Sequence, residues 1–377
     1  LIPRAMLVSA LDYDLPPDRI ATAPAEPRDA ARLLVVRRAT GQVEHRHVRD
    51  LPDLGVLHAG DLMVVNQTRV VPARFAGVRT ATGGRVTGLY LGHASTAPGV
   101  TWSVMLEAKG RLRAGETITL APDASLQLTQ ARGGGEWSAT LHAGVDTMAL
   151  LDRIGAAPIP PYIEKARRRS ADPAHPPAPP PTREIDRYNT VYATEPGSVA
   201  APTAGLHFTP DLLGRIDALG VRRASVTLHV GLGTFAPVRS ETLENHAIHR
   251  EHLHVPGPVI SQLQHTRARG GRVLVVGTTT VRALESLPHP LPAGDDDSPL
   301  QHTGFTADTD LFIRPDAGFV FRHTDLLLTN FHLPRSTLLA LVAALPDVGL
   351  DRLLQWYRLA IDAGYRFYSY GDAMLLA

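Results

Sequence analysis

Histidine is the side chain whose charge changes nearest neutral pH, and this chain of 377 residues carries 17 of them. Three sit beside polar turns: His207 in Ala204-Gly205-Leu206-His207-Phe208, His229 in Leu228-His229-Val230-Gly231-Leu232-Gly233-Thr234, and His332 in Thr329-Asn330-Phe331-His332-Leu333-Pro334. The densest cluster is His246-Ala247-Ile248-His249-Arg250-Glu251-His252-Leu253-His254. In a helix His246 and His249 would share a face. In a strand that follows, His252 and His254 share one face and Glu251 takes the other. Imidazoles and a carboxylate in this pattern could ligate zinc, supply acid–base groups near neutral pH, or form a solvated surface.

Two apolar runs feed glycine turns: Leu228 to Thr234, and Val275-Val276-Gly277-Thr278-Thr279-Thr280-Val281-Arg282. In α/β sheets ligands bind where strands end, and helix N-terminal amides favour anions. Neither turn is a dinucleotide fingerprint or a P-loop, since no Gly-Lys-Ser/Thr is present. Tyr365-Arg366-Phe367-Tyr368-Ser369-Tyr370-Gly371-Asp372 sets three tyrosines around an arginine. Aromatic rings can stack on a base while arginine holds phosphate or carboxylate; equally, the segment can anchor the end of the chain in the core.

Elements that could position these groups follow from periodicity. From 198 onward strands and helices alternate. Thr209 caps a helix with Pro210 at its first position and Gly220 past its end, and Leu212, Leu213, Ile216 and Leu219 form its stripe. Val226–Val230 and Arg272–Val276 read as strands, as does Leu326–Leu328. Helices are expected over Val259–Arg269, from Gly277 through Leu287, from a Ser336 cap through Leu345, and along the Leu353, Leu354, Tyr357, Ile361 stripe to Gly364. Leu33–Val36 and Asp61–Val65 suit buried strands. This alternation predicts an α/β main domain with a mixed, largely parallel sheet.

Between 67 and 145 the texture changes to short strand-like runs, Arg85–Leu91, Thr101–Leu106, Thr117–Leu120, Leu126–Thr129 and Trp137–His142, separated by Gly and Pro turns. A small antiparallel β-barrel-like domain at 67–154 is expected, inserted into a discontinuous α/β domain of residues 1–66 and 155–377. Residues 166–183, with Arg167-Arg168-Arg169 and six prolines from Pro173 to Pro181, read as an exposed Pro-rich loop.

Composition bounds the chemistry. At ~100–200 residues per domain the length suggests two or three domains, and with 44% apolar and 20% charged residues the chain can bury a large core. No run reaches the ~18 apolar residues of a membrane span, so no membrane partner is expected. No secretory leader is expected either, and Met6 is the expected start. The absence of cysteine excludes disulfides, cysteine-ligated metal and a cysteine nucleophile, and agrees with a cytoplasmic location. The net charge is +1, yet all basic residues except Lys109 and Lys165 are arginines. Guanidinium forks suit phosphate, and Arg167–Arg169, Arg222–Arg223 and Arg267–Arg272 are candidate patches.

Taken together and in order, longer motifs resemble one family nearly end to end. They are Asp12-Tyr13-Asp14-Leu15-Pro16, Glu26-Pro27-Arg28-Asp29, Asn66-Gln67-Thr68-Arg69-Val70, Pro72-Ala73-Arg74, Pro160-Pro161-Tyr162-Ile163, Tyr188-Asn189-Thr190-Val191-Tyr192-Ala193, Gly197 to Phe208, Leu228 to Phe235, Val276 to Arg282, Asn330 to Leu338 and Tyr365 to Met374. The family is the S-adenosylmethionine:tRNA ribosyltransferase-isomerases of queuosine biosynthesis. The chain departs from the family pattern at Gln67, Arg250, Thr280 and Arg335, and its 170–181 stretch and Asp295–Asp297 loop are extra length.

The resemblance implies an α/β domain with an inserted barrel. It implies transfer and isomerisation of the ribosyl part of S-adenosylmethionine onto 7-aminomethyl-7-deazaguanine in a tRNA anticodon, giving epoxyqueuosine with release of adenine and methionine. S-adenosylmethionine is then a consumed substrate; no cofactor and no metal are expected, and a monomer is. Such chemistry needs a base for the proton beside the sulfonium, a donor for departing adenine and a neutral amine. The residues expected to carry it are His207, His229, His249, Glu251 and His332. Those expected to bind substrate are Thr203, Gly205, Gly231, Gly233, Thr234, Gly277, Thr278, Thr279, Arg282, Asn330, Phe331, Arg335, Ser336, Arg366 and Tyr368. Two rivals are a zinc hydrolase built on His246, His249 and Glu251, and an RNA-binding module without catalysis.

Overall fold

The computed structural model describes residues 6–93, 100–170, 183–231, 238, 240–246, 248–291, 299–315 and 317–377. Among these, nine strands form one mixed sheet in the order Phe305–Thr309, Glu251–Val255, Arg222–Leu228, Leu62–Asn66, Val273–Val276, Leu326–Asn330, Ala373–Leu376, Arg32–Arg37 and Gln42–His47. The four strands from Arg222–Leu228 to Leu326–Asn330 run parallel to one another. Their sequences explain their place: Leu62-Met63-Val64-Val65 and Val273-Leu274-Val275-Val276 are unbroken apolar runs, as a strand covered on both faces requires.

Alternation along these strands divides their side chains between two cores. Leu62, Val64, Val273, Val275 and Leu327 face one, with the helices Gly257–Ala268, Thr278–Glu285, Thr337–Ala343 and Leu350–Asp362. Met63, Val65, Leu274, Val276 and Leu328 face the other, which the helix Pro210–Ala218 covers with Leu212, Leu213 and Ile216. The caps form as expected: Thr209 Oγ1 accepts the Leu212 N–H at 3.2 Å and Ser336 Oγ accepts the Leu339 N–H at 3.2 Å.

Six further strands close an antiparallel barrel in the order Glu136–Ala143, Thr101–Ala108, Arg85–His93, Arg74–Arg79, Thr117–Ala121 and Ala124–Gly133. All of it lies in sequence between the sheet strands Leu62–Asn66 and Arg222–Leu228. The two connections to the sheet pass side by side: Arg74 and Ala156 exchange backbone hydrogen bonds at 3.1 and 2.7 Å. Gly155 is required there, because a Cβ would stand 1.9 Å from the Pro72 carbonyl oxygen. The strand Arg74–Arg79 carries no run legible in the sequence, because Gly77 interrupts the inner face that Phe75 begins and Ala76 and Val78 are exposed on the other.

One boundary is corrected. Residues 166–170 belong to the helix Pro161–Ser170 rather than to an extended loop, anchored by fully buried Ile163 and by Arg167, which pairs with Glu184 at 3.0 Å. The proline-rich remainder, 171–182, lies outside the described residues. No helix among the described residues is long and apolar enough to cross a membrane.

Candidate functional site

Three parallel strands end at one cavity of about 270 Å³. Val230 follows Arg222–Leu228, Gly277-Thr278-Thr279 follows Val273–Val276, and Thr329-Asn330-Phe331-His332 closes Leu326–Asn330. Ala201 to Ala204, Ser336, Tyr368, Ser369 and Tyr162 complete the main walls. Convergence of carboxyl ends of parallel strands is where open α/β sheets hold ligands. Asn66, at the end of the fourth parallel strand, ties this rim together: its Nδ2 donates to the Leu228 carbonyl at 2.9 Å and its Oδ1 accepts the Leu228 N–H at 3.1 Å.

Chemistry on the walls is mixed. Gly277 adopts φ +87°, a left-handed conformation that glycine enters freely, and so turns the chain into the helix Thr278–Glu285. The first-turn amides of that helix give the cavity a positive end suited to a carboxylate. Opposite charge preference comes from no side chain on the wall, because none of the lining residues is Asp, Glu, Lys or Arg. Tyr162 and Tyr368 meet edge to face with ring centroids 4.8 Å apart.

Two of the expected histidines belong to this site. His332 lines it; its Nε2 and Thr329 Oγ1 are 3.0 Å apart, and burial pushes its pKa down to about 3. His207 sits behind Asn330, its Nε2 3.3 Å from Asn330 Nδ2, and burial outweighs the pull of Asp372 to leave its pKa at about 4. Asn330 Nδ2 also donates to the Tyr368 carbonyl at 3.1 Å. A carbonyl there accepts only, so the amide nitrogen must face it, and neutral His207 accepts through Nε2.

The remaining expectations scatter. His229 does not line the cavity; its Nδ1 lies 2.8 Å from Thr68 Oγ1, and its ring stacks on His252 at 6.4 Å. Burial, reinforced by His252, lowers its pKa. His246 and His249 are not helical, so they share no helix face. They border a second, smaller cavity with Arg282 and Phe312, separated from the first by Leu338. Glu251 and His252 do alternate inward and outward along the strand Glu251–Val255.

Glu251 is buried, accepts from the Arg282 guanidinium and takes the Gly231 N–H at 3.0 Å. The zinc reading therefore meets a carboxylate already engaged by a guanidinium. Among the described residues no three His, Asp or Glu side chains gather into a metal site.

Of the expected binding residues, Thr203, Gly277, Thr278, Thr279, Asn330, Phe331, Ser336 and Tyr368 line the cavity. Gly205 is a packing position, where a Cβ would stand 2.2 Å from Tyr192 Oη. Gly231 and Arg282 serve the Glu251 contact. Arg335 points instead to the surface and pairs with Asp12, and Arg366 is held by Asp372 and the Ala23 carbonyl. Gly233 and Thr234 lie outside the described residues. Tyr162, Ser369, Thr329 and Asn66 belong to the site although none is among the expected binding residues; all four stand within the sequence segments that carry the expectations.

The family model described as queuosine biosynthesis protein matches residues 8–376. The chain belongs to this family. Within it, curated relatives named S-adenosylmethionine:tRNA ribosyltransferase-isomerase include one from Moorella thermoacetica, 44% identical over 98% of this chain and 100% of the relative. Another, from Gloeobacter violaceus, is 45% identical over 99% of this chain and 96% of its own length. The family fold is the one described above. The crystal structure of S-adenosylmethionine tRNA ribosyltransferase from Thermotoga maritima aligns with a TM-score of 0.52 at 33% identity, covering 98% of this chain and all of that one.

Proposed function

We infer that this chain is an S-adenosylmethionine:tRNA ribosyltransferase-isomerase. It moves the ribosyl part of S-adenosylmethionine onto 7-aminomethyl-7-deazaguanine in a tRNA anticodon, rearranges it to the epoxycyclopentane-diol, and releases adenine and methionine. The observation that carries the reading is membership of the queuosine family along 8–376. S-adenosylmethionine acts here as a consumed substrate, no cofactor takes part, and the enzyme works as a cytoplasmic monomer.

We assign the chemistry to the 270 Å³ cavity. Its volume is close to the lower end of small-ligand sites at ~300 Å³, and aromatic rings set among uncharged hydroxyl and amide groups suit a nucleoside. Tyr162 and Tyr368 offer faces for a purine, and the first turn of Thr278–Glu285 takes the methionine carboxylate. A sulfonium carries positive charge, and a wall free of side-chain cations does not repel it. His332 is neutral across the physiological range, so it can offer a lone pair or an N–H to a reacting group without first losing a proton. Asn330, held in one orientation by Tyr368 and His207, is a fixed polar contact. His229, His249 and Glu251 lie off these walls, which favours His332 for proton transfer.

Given S-adenosylmethionine and tRNA bearing the aminomethyl-deazaguanine, the purified protein should release one adenine and one methionine per tRNA modified. Formation of S-adenosylhomocysteine, or adenine release indifferent to the tRNA base, would overturn the reading.

A further inference from the structure

The cavity accounts for a nucleoside, whereas a tRNA nucleotide arrives with its phosphates. We propose that the exposed face of the helix Pro161–Ser170 grips the phosphates flanking the nucleotide being modified, through Lys165, Arg168 and Arg169. This rests on the functional reading above and assigns that site its grip on tRNA.

Helical periodicity makes the case. Tyr162 lines the cavity, residues 165 and 169 lie within about 60° of it round the helix, and 168 adjoins 165 at a spacing of three. At 1.5 Å per residue, Lys165 stands about 5 Å and Arg169 about 10 Å along the axis from Tyr162. Ile163 is fully buried on the side away from the three cations, and Arg167 there donates to the Thr22 carbonyl at 3.0 Å, so the helix is docked in one orientation.

Lys165, Arg168 and Arg169 are exposed and have no ion-pair partner among the described residues. The nearby acids are already matched: Glu164 with Arg74, and Glu184 with Arg167. Like charges at such spacings repel, so the arrangement is unfavourable on its own and becomes favourable when an anion spans it. Two guanidinium forks and an ammonium beside a nucleoside cavity suit the phosphates on either side of one base.

The test is tRNA affinity by fluorescence anisotropy, titrated in salt, for the full chain and for the triple variant Lys165→Ala/Arg168→Ala/Arg169→Ala. Each lost phosphate contact should remove ~0.7 from the slope of log affinity against log salt, about 2 in all. At 0.15 M salt that amounts to a loss on the order of 50-fold. S-adenosylmethionine binding should not move, melting temperature should hold or rise slightly as the repulsion is relieved, and Lys165→Arg/Arg168→Lys/Arg169→Lys should keep the wild-type slope. If the wild type binds tRNA and the alanine variant matches it in affinity and slope, this inference is wrong and the functional reading stands. If the wild type binds no tRNA, the functional reading falls and takes the inference with it.

Discussion

Replacing Glu251 by glutamine tests whether this carboxylate is a strut or a proton carrier. Its side chain is 2% exposed and that of its partner Arg282 is 6% exposed. The side-chain amide introduced by Glu251→Gln could still accept the Gly231 N–H, but it would leave the Arg282 guanidinium charged and buried. Only the carbonyls of Leu311 and Thr309, at 3.1 and 3.4 Å, would then remain to it. Breaking a buried pair in this way costs about 3–5 kcal/mol. With an unfolding entropy of ~2.1 cal/mol/K per residue over the whole chain, a loss of ~4 kcal/mol lowers Tm by about 5 °C if the chain unfolds as one unit.

A second variant, Glu251→Leu/Arg282→Met, removes both charges and fills the space with apolar atoms. It should recover most of that loss, since apolar replacement of a whole buried pair is often neutral. Urea and thermal unfolding of Glu251→Leu, of Arg282→Met and of the double variant give the coupling energy directly. Turnover should fall in both singles, because the pair ties the Gly231 turn to the helix Thr278–Glu285 at the cavity. A Glu251→Gln protein that melts with the wild type yet has no turnover would refute the strut account and return proton transfer to Glu251.

Three further outcomes are expected. His207, His323 and His332 have pKa values lowered by burial to about 4, 4 and 3, so the unfolded chain binds protons first as pH falls below about 6.5. Stability should therefore drop between pH 6.5 and 4 by about 2 kcal/mol per histidine at pH 5, and His323→Gln should flatten the urea-midpoint profile. Gly277→Ala forces a Cβ onto φ +87° within 3.5 Å of Ala204 Cβ, which should cost ~1–2 kcal/mol and weaken S-adenosylmethionine binding by calorimetry. Asn330→Asp sets a carboxylate oxygen against the Tyr368 carbonyl, so unfolding should show a loss of about 1–3 kcal/mol at pH 7.5; no loss would mean the amide orientation deduced for Asn330 is wrong.

The central strands were legible because burial on both faces demands apolar runs, and those runs are local. Caps were legible for the same reason: Thr209 and Ser336 act within three residues of themselves. The helix Pro161–Ser170 was misread because Glu-Lys-Ala-Arg-Arg-Arg is polar nearly all round, and its anchors, Ile163 and the distant Glu184, show no stripe. The cavity was half legible. Strand-end turns pointed to Gly277–Thr279 and Asn330–His332, but Tyr162 joins them from more than a hundred residues away. Glu251 looked reactive because a carboxylate among histidines suggests acid–base chemistry, whereas the Arg282 that engages it is 31 positions off. Arg335 and Arg366 looked like anion binders and instead satisfy Asp12 and Asp372.

The strand Ala373–Leu376 lies between Leu326–Asn330 and Arg32–Arg37, pairing with both. Among the described residues, the hairpin of Arg32–Arg37 and Gln42–His47 thus pairs with the rest of the sheet only through residues synthesised more than 300 positions later. At ~5–20 residues per second the hairpin waits on the order of 20–70 s for its neighbour. Sequence separation of that size slows folding, because a long loop must close before any contact rewards it. During the wait, Leu33 to Val36 present an open edge to whatever else is in the cell. Assembly of this enzyme is therefore a race between late closure and early capture. A chaperone that shields the first 50 residues should raise the yield of folded protein more than one that acts on the barrel, whose strands all lie within about 70 residues of one another.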